Sequence, residues 1–154
     1  FVHADPSQQV MIAGTYNAHP IPCAAAIATI EKLAASDCAA YRKLDEMGKR
    51  MQKGLESIFS DFGLKAQVSR QSSAFCTYFM EHLPLDWHDI AFNHDFELDV
   101  AYRKALIDEG VYHFPIATKQ GSVSLAHTEE DLTLTLERTK KVLSTLIKAG
   151  RLSV

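Results

Sequence analysis

Long apolar runs are missing from this sequence, and none approaches the roughly 18 residues that a membrane-crossing helix requires. Basic clusters are missing too. No basic run is longer than the pair Lys140-Lys141, and the formal net charge is −3. Binding along a phosphate backbone needs grouped positive charge, so neither a nucleic-acid partner nor a membrane partner is expected. Cysteine is sparse: Cys23, Cys38 and Cys76 form no C-x-x-C pair. They read as small buried hydrophobes in a reducing compartment. No G-x-S-x-G elbow is present, which argues against Ser72 or Ser73 as a hydrolase nucleophile. His82, His88 and His94 recur every six residues, neither the helical i, i+4 pair nor a zinc-finger spacing. They are expected to be exposed or structural, with no metal. The opening Phe1-Val-His-Ala-Asp-Pro lacks the charged, apolar, small-residue order of a leader. It reads as though the chain begins inside a longer protein, and the expected location is cytoplasmic.

What is present suits a packed domain. The chain has 154 residues, 47% of them hydrophobic. A domain of this size buries roughly 70% of the surface its unfolded chain exposes. Val10 to Ala13 suggests a short extended segment ending at Gly14-Thr15. Pro20 and Pro22 open an Ala-rich helix over 22–35, because proline is tolerated in a first helical turn. Ser36-Asp37 breaks that helix and caps the next. Tyr41, Leu44, Met51, Leu55, Ile58 and Phe62 then mark one apolar face of a long helix ending near Gly63. Leu64 to Arg70 and Ser73 to Met80 read as a hairpin turning at Arg70-Gln71-Ser72. The span 81–93 reads as loop. A helix capped by Asn93 or Asp95 runs to about Glu109, with Phe96, Val100, Leu106 and Ile107 as its apolar face and Gly110 as its stop. Short strands are expected at Val111–Phe114 and Ser122–His127. Thr128-Glu-Glu-Asp131 resembles a capping box, opening a last helix striped by Leu132, Leu136, Thr139, Leu143, Leu146 and Ile147. The order predicts an α+β layer, with helices on one face of a small sheet.

The segment with chemical content is Gly14-Thr15-Tyr16-Asn17-Ala18-His19-Pro20, directly before the Ala-rich helix. It offers a flexible glycine, a hydroxyl donor and backbone N–H groups near a positive helix end, which is what a phosphate wants. An ordinary loop with a helix cap has the same residues. Two further stretches stand about a hundred residues on: Glu109-Gly-Val-Tyr-His-Phe-Pro115 and Ser124-Leu-Ala-His-Thr-Glu-Glu-Asp131. Together these resemble the G-T-x-x-x-N-P-x-x-x-A-A-x-x-A, E-G-V-Y-x-x-P and S-x-A-H-T-x-x-D patterns of the class III aminotransferases, most closely the glutamate-1-semialdehyde aminomutases. The resemblance covers essentially the whole chain.

It implies the C-terminal part of a fold-type I transferase dependent on pyridoxal 5'-phosphate (PLP), with a small, mostly antiparallel sheet. Residues 1–21 would end the large cofactor-binding domain, 22–62 would be connecting helices, and 63–154 a small C-terminal α+β domain. Gly14 and Thr15 would bind the PLP phosphate held by a neighbouring subunit, implying a homodimer with shared active sites. The partners would be a small-molecule amino donor and an oxo acceptor. The family's Schiff-base lysine lies well upstream of the Gly-Thr motif, and no lysine precedes Gly14 here. No catalytic residue is therefore assigned, and the isolated chain is expected to be inactive. His19 stands where the family has asparagine. Lys119 stands where the aminomutases have glutamate, and this reversal of charge favours an aminotransferase over an aminomutase. A non-catalytic α+β association module is the alternative of another class.

Overall fold

The computed structural model describes residues 5–9 and 13–152. Of the extended run read at Val10 to Ala13, all but Ala13 lies outside them. The chain forms two compact units, Phe1–Ala39 and Ala40–Val154.

In the first unit, Asp5 caps a single 3-10 turn over Pro6–Gln8, its carboxylate accepting from the Ser7 N–H. A turn over 14–17 leads into helix α1, Pro20–Asp61. The break expected at Ser36-Asp37 is real. Ala35 turns extended (ψ 150°), then Ser36, Asp37 and Cys38 all take positive φ, 51° to 59°. None of the described residues of this unit is buried. Cys23 and Cys38 are exposed as a result, and only Cys76 is the buried small hydrophobe expected of all three. The reason is local: an Ala-rich helix with Ile21, Ile27 and Ile30 in solvent has no core in its own unit to enter.

In the second unit, α1 resumes and buries Met47, Gly48, Met51, Leu55, Ile58 and Phe59. Tyr41, read as part of this stripe, is exposed. The hairpin follows as β1 (Gln67–Gln71) and β2 (Ala74–Tyr78), antiparallel with Gln71 opposite Ala74. Its turn is therefore Ser72-Ser73, slightly later than expected. Ser72 takes the positive φ (53°) that a two-residue hairpin turn needs. Asp86 caps α2 (Trp87–Asn93), a helix inside the span read as loop. Its polar, mixed sequence hides any period, and the cap alone signals it. Asp95 caps α3 (Phe96–Asp108). Residues 111–114 form no strand, and β3 is only Gly121–Ser122, antiparallel to β2. The capping box at Thr128–Asp131 is present in both directions and opens α4, Glu129–Lys148.

The helices carrying Asp61, Asp108 and Lys148 end alike. After each, a glycine in the left-handed region (Gly63, Gly110, Gly150) donates to the carbonyl three residues back. The next N–H reaches the carbonyl five residues back. This double bond pattern satisfies carbonyls that the helix leaves orphaned, and only glycine takes that conformation without steric cost. The core joins the second half of α1, the hairpin, α3 and α4. It centres on Phe59, Tyr102, Leu106, Leu132 and Leu143, with Phe59, Phe79 and Tyr102 meeting edge to face. β2 is buried at three consecutive residues, Phe75, Cys76 and Thr77, so both its faces are covered. The observed class is α+β, a small antiparallel sheet packed with helices. No helix among the described residues is long and apolar enough to cross a membrane.

Candidate functional site

The Gly14–Asn17 turn closes through an Asn17 N–H to Gly14 carbonyl bond of 3.0 Å, followed by His19 N–H to Tyr16 carbonyl at 3.2 Å. A Cβ on Gly14 would stand 2.9 Å from Asn17 Oδ1, so the turn is tightest at the glycine. His19, in the place of the family's asparagine, does capping work. Its Nδ1 accepts from the Ile21 N–H at 3.3 Å, which meets one of the orphan donors at the start of α1. No acidic residue occupies the first turn of that helix. Among the described residues none is hydrogen-bonded to the Thr15 hydroxyl. The turn thus presents a hydroxyl with no partner among the described residues, ahead of a helix start whose N–H groups are already met: Pro20 and Pro22 have none, and those of Ile21 and Cys23 go to His19.

The second and third motif stretches turn out to be mostly architecture. Glu109 accepts from Arg138 (3.0 Å) and Lys141 (2.7 Å), tying the end of α3 to α4. Lys141 first and Arg138 after it hold its carboxyl below the usual carboxylate range. Ser124 and His127 close a turn on each other, His127 Nδ1 accepting from the Ser124 N–H at 3.0 Å and the His127 N–H returning to the Ser124 carbonyl at 3.1 Å. That turn delivers Thr128 to its cap. These residues set where the loop 111–127 leaves and re-enters the helices.

Between those ends lies a cleft of about 620 Å³, lined among others by Tyr112, His113, Phe114, Lys119, Ser122 and His127. Lys119 Nζ sits 5.6 Å from the Phe114 ring centre, a cation–π distance. His113 packs edge to face on Phe75 and beside Tyr102. Burial, and then the Arg103 guanidinium, push its imidazole down to about 4. An unfolded histidine titrates near 6.5. Between these two values the unfolded chain takes up a proton that the folded chain refuses, so stability falls as pH drops through that window. Urea titrations from about pH 7 to about pH 5 should show this slope, and His113→Phe should flatten it.

Behind the cleft is a charged cluster that the sequence reading missed. Asp99 is fully buried. Its Oδ1 accepts from Arg103 Nε at 2.6 Å, and its Oδ2 from the Thr118 N–H at 2.6 Å and His94 Nε2 at 3.1 Å. His94 Nδ1 in turn accepts the Phe79 N–H at 3.1 Å, so the ring carries its proton on Nε2. Burial opposes ionisation of Asp99, but the bonds from His94, Thr118 and Arg103 together hold its carboxyl below the usual range. The face read on α3 was Phe96, Val100, Leu106 and Ile107. The buried residues are Asp99, Tyr102, Arg103 and Leu106. A signal was available: 99 and 103 lie seven and three residues before Leu106, so a face holding Leu106 holds both. His94 is structural and His82 pairs with Asp89 at 3.1 Å. No group of three or more potential metal ligands occurs among the described residues.

No protein-family model matches the chain. It is 34% identical over 132 residues to the glutamate-1-semialdehyde 2,1-aminomutase of Thermus thermophilus, covering 86% of this chain and 30% of that protein. It is 32% identical over 143 residues to aminomutase 2 of Brevibacillus brevis, covering 93% and 33%. The chain therefore spans about a third of the length of these relatives. Among solved structures it matches a β-phenylalanine aminotransferase from Variovorax paradoxus, with a TM-score of 0.79 and 21% identity over 94% of this chain and 33% of that one. It also matches the Pseudomonas aeruginosa aminomutase in complex with PMP, with a TM-score of 0.78 and 21% identity over 94% and 32%. Shared fold, ordered motifs and sequence identity agree, and the chain belongs to the class III PLP-dependent aminotransferase family, on its aminomutase-like side.

Proposed function

We propose that this chain is the C-terminal part of a PLP-dependent aminotransferase that moves an amino group between an amino compound and an oxo acid or aldehyde. The observation carrying this reading is the free Thr15 hydroxyl in the Gly14–Asn17 turn, ahead of a helix start with no acidic side chain. Those residues fit a phosphate: glycine for close approach and a hydroxyl donor, ahead of a helix start that carries no acidic side chain to repel it. Gly14 and Thr15 would hold the PLP phosphate of a neighbouring subunit, making the working protein a homodimer. PLP, when bound, supplies an electron sink for carbanion chemistry. This chain's part is to grip the phosphate and to supply a substrate wall from the loop carrying Tyr112, His113 and Lys119. In this reading residues 1–21 finish the cofactor-binding domain, 22–62 connect, and 63–154 form the small domain. The catalytic lysine belongs to a part of the protein outside this sequence, and the location is cytoplasmic.

Lys119 supports an aminotransferase over an aminomutase, since an ammonium cannot take the electrostatic role of a carboxylate beside a substrate. An amino-donor screen on the full-length protein with PLP separates the two. Turnover that needs an added oxo acceptor supports the aminotransferase, and turnover of glutamate-1-semialdehyde alone supports the aminomutase. No PLP-dependent absorbance in the folded full-length protein would sink both and leave an association module.

Thr15→Ala in that protein should weaken PLP retention by roughly tenfold to a hundredfold, the equivalent of losing one hydrogen bond to a charged group, about 1.5–3 kcal/mol. Thermal unfolding without PLP should be unchanged. Equal PLP affinity in the variant would remove Thr15 from the site.

A further inference from the structure

The loop 111–120 contains no regular helix or strand, so its backbone groups need other partners. Two of them are met from α3. The Thr118 N–H donates to Asp99 Oδ2 at 2.6 Å, and Arg103 Nη1 donates to the Phe114 carbonyl at 3.4 Å. Asp99 and Arg103 are themselves paired at 2.6 Å and are 0% and 3% exposed at their side chains. One buried ion pair thus holds both ends of the five-residue bend from Phe114 to Thr118. The bend is not relaxed: Thr118 has φ 59°, a left-handed conformation that a β-branched residue rarely adopts. Lys119 is the next residue, and its ammonium lies over the ring of Phe114, the other end of the bend.

From this geometry we infer that Asp99 is a positioning residue for the cleft: by holding the Thr118 N–H, and the Phe114 carbonyl through Arg103, it sets the bend that brings Lys119 over Phe114. A buried ion pair adds little stability over apolar residues of the same shape, but here three donors, from α3, from the loop and from His94, converge on one carboxylate and so fix their places relative to one another. His94 completes the device by taking the second acceptor position on Asp99 Oδ2 and anchoring it to the Phe79 N–H. The cleft's role as a substrate wall is the reading given above. The placement of Lys119 can be measured without cofactor or turnover, so the two stand or fall separately.

The test uses the full-length protein and its Asp99→Asn variant. An amide in place of the carboxylate removes the charge from all three bonds and turns its NH2 group either toward Arg103 or toward Thr118 and His94 together. Acylation of lysines by acetic anhydride is followed residue by residue by mass spectrometry, and amide exchange by NMR. In the variant the Thr118 amide should exchange at least about tenfold faster, and the Lys119 acylation rate should change severalfold while that of Lys104 does not. Adding Thr118→Gly should restore the Lys119 rate, because glycine holds the left-handed turn without a pin. A purely structural role would not be rescued this way. Unchanged Thr118 exchange and Lys119 reactivity in a folded Asp99→Asn protein would overturn the assignment. If that variant does not fold, the unmodified protein decides. Its Thr118 amide should exchange at least about tenfold more slowly than those of Lys119 and Gln120, and equal rates would overturn it.

Discussion

Asp99→Ala should lower the unfolding free energy of the protein by about 3–5 kcal/mol, the cost of leaving a buried cation without its partner. The magnitude follows from position rather than charge alone. Arg103 is 2% exposed, and removing the carboxylate strands its Nε together with the Thr118 N–H and His94 Nε2–H. Equilibrium urea unfolding reads the loss directly. The pH dependence gives a second reading. The Asp99 carboxyl is depressed below its ordinary value of 3.8, so its contribution is complete above that value. It is lost as pH falls through the lower native value. The alanine variant should lack this acid-side component. Replacing both partners with apolar residues, Asp99→Leu with Arg103→Met, should recover only the part owed to the stranded guanidinium, because the Thr118 N–H and His94 Nε2–H still lack an acceptor. A single Asp99→Ala loss within about 0.5 kcal/mol of zero would mean that water reaches Arg103 and that the cluster is not sealed.

Gly48→Ala should cost about 3 kcal/mol, or roughly 10 °C in Tm. A Cβ there would lie 2.1 Å from the Ser72 carbonyl oxygen and 3.0 Å from Ser73 Cα. Both are backbone atoms of the hairpin turn. Neither can step aside, because Ser72 O accepts from Arg70 and Ser73 O accepts from the Val123 N–H. The alanine's better helix propensity, about 1 kcal/mol, offsets only part of the clash. Gly54→Ala is the control on the same helix. Its Cβ would meet the end of the Leu136 side chain, 2.5 Å from Cδ1, and a leucine tip can change rotamer. Thermal unfolding of the two variants should separate them by several degrees, and equal values would show that the hairpin shifts to make room.

Local signals were legible wherever one residue type has one job. Asp95, Thr128 and Asp131 cap helices as read, and Gly63, Gly110 and Gly150 end them. Proline opens α1 and Ser36-Asp37 breaks it. The β1–β2 hairpin was legible as alternation, its turn displaced slightly. What misled was a pattern without a period. α2 was hidden in a polar stretch, and the run Val111–Phe114 looked like a strand although no sheet edge receives it. Tyr112 and His113 instead line a cleft, with His113 on Phe75 and Tyr102.

By itself the sequence determined the hairpin, the family and the approximate limits of the helices other than α2, because caps, breakers and ordered motifs act through neighbours a few residues apart. The tertiary structure alone decided that Asp99, Arg103 and His94 are buried together and that the motif after α3 serves mainly to frame a loop. It also placed Lys119 over Phe114. Those outcomes depend on which face of α3 turns inward: the spacing to Leu106 allows the face that holds Asp99 and Arg103, and packing against Phe59, Phe79 and α4 selects it. A charged pair four residues apart reads as a solvent face until a core closes over it.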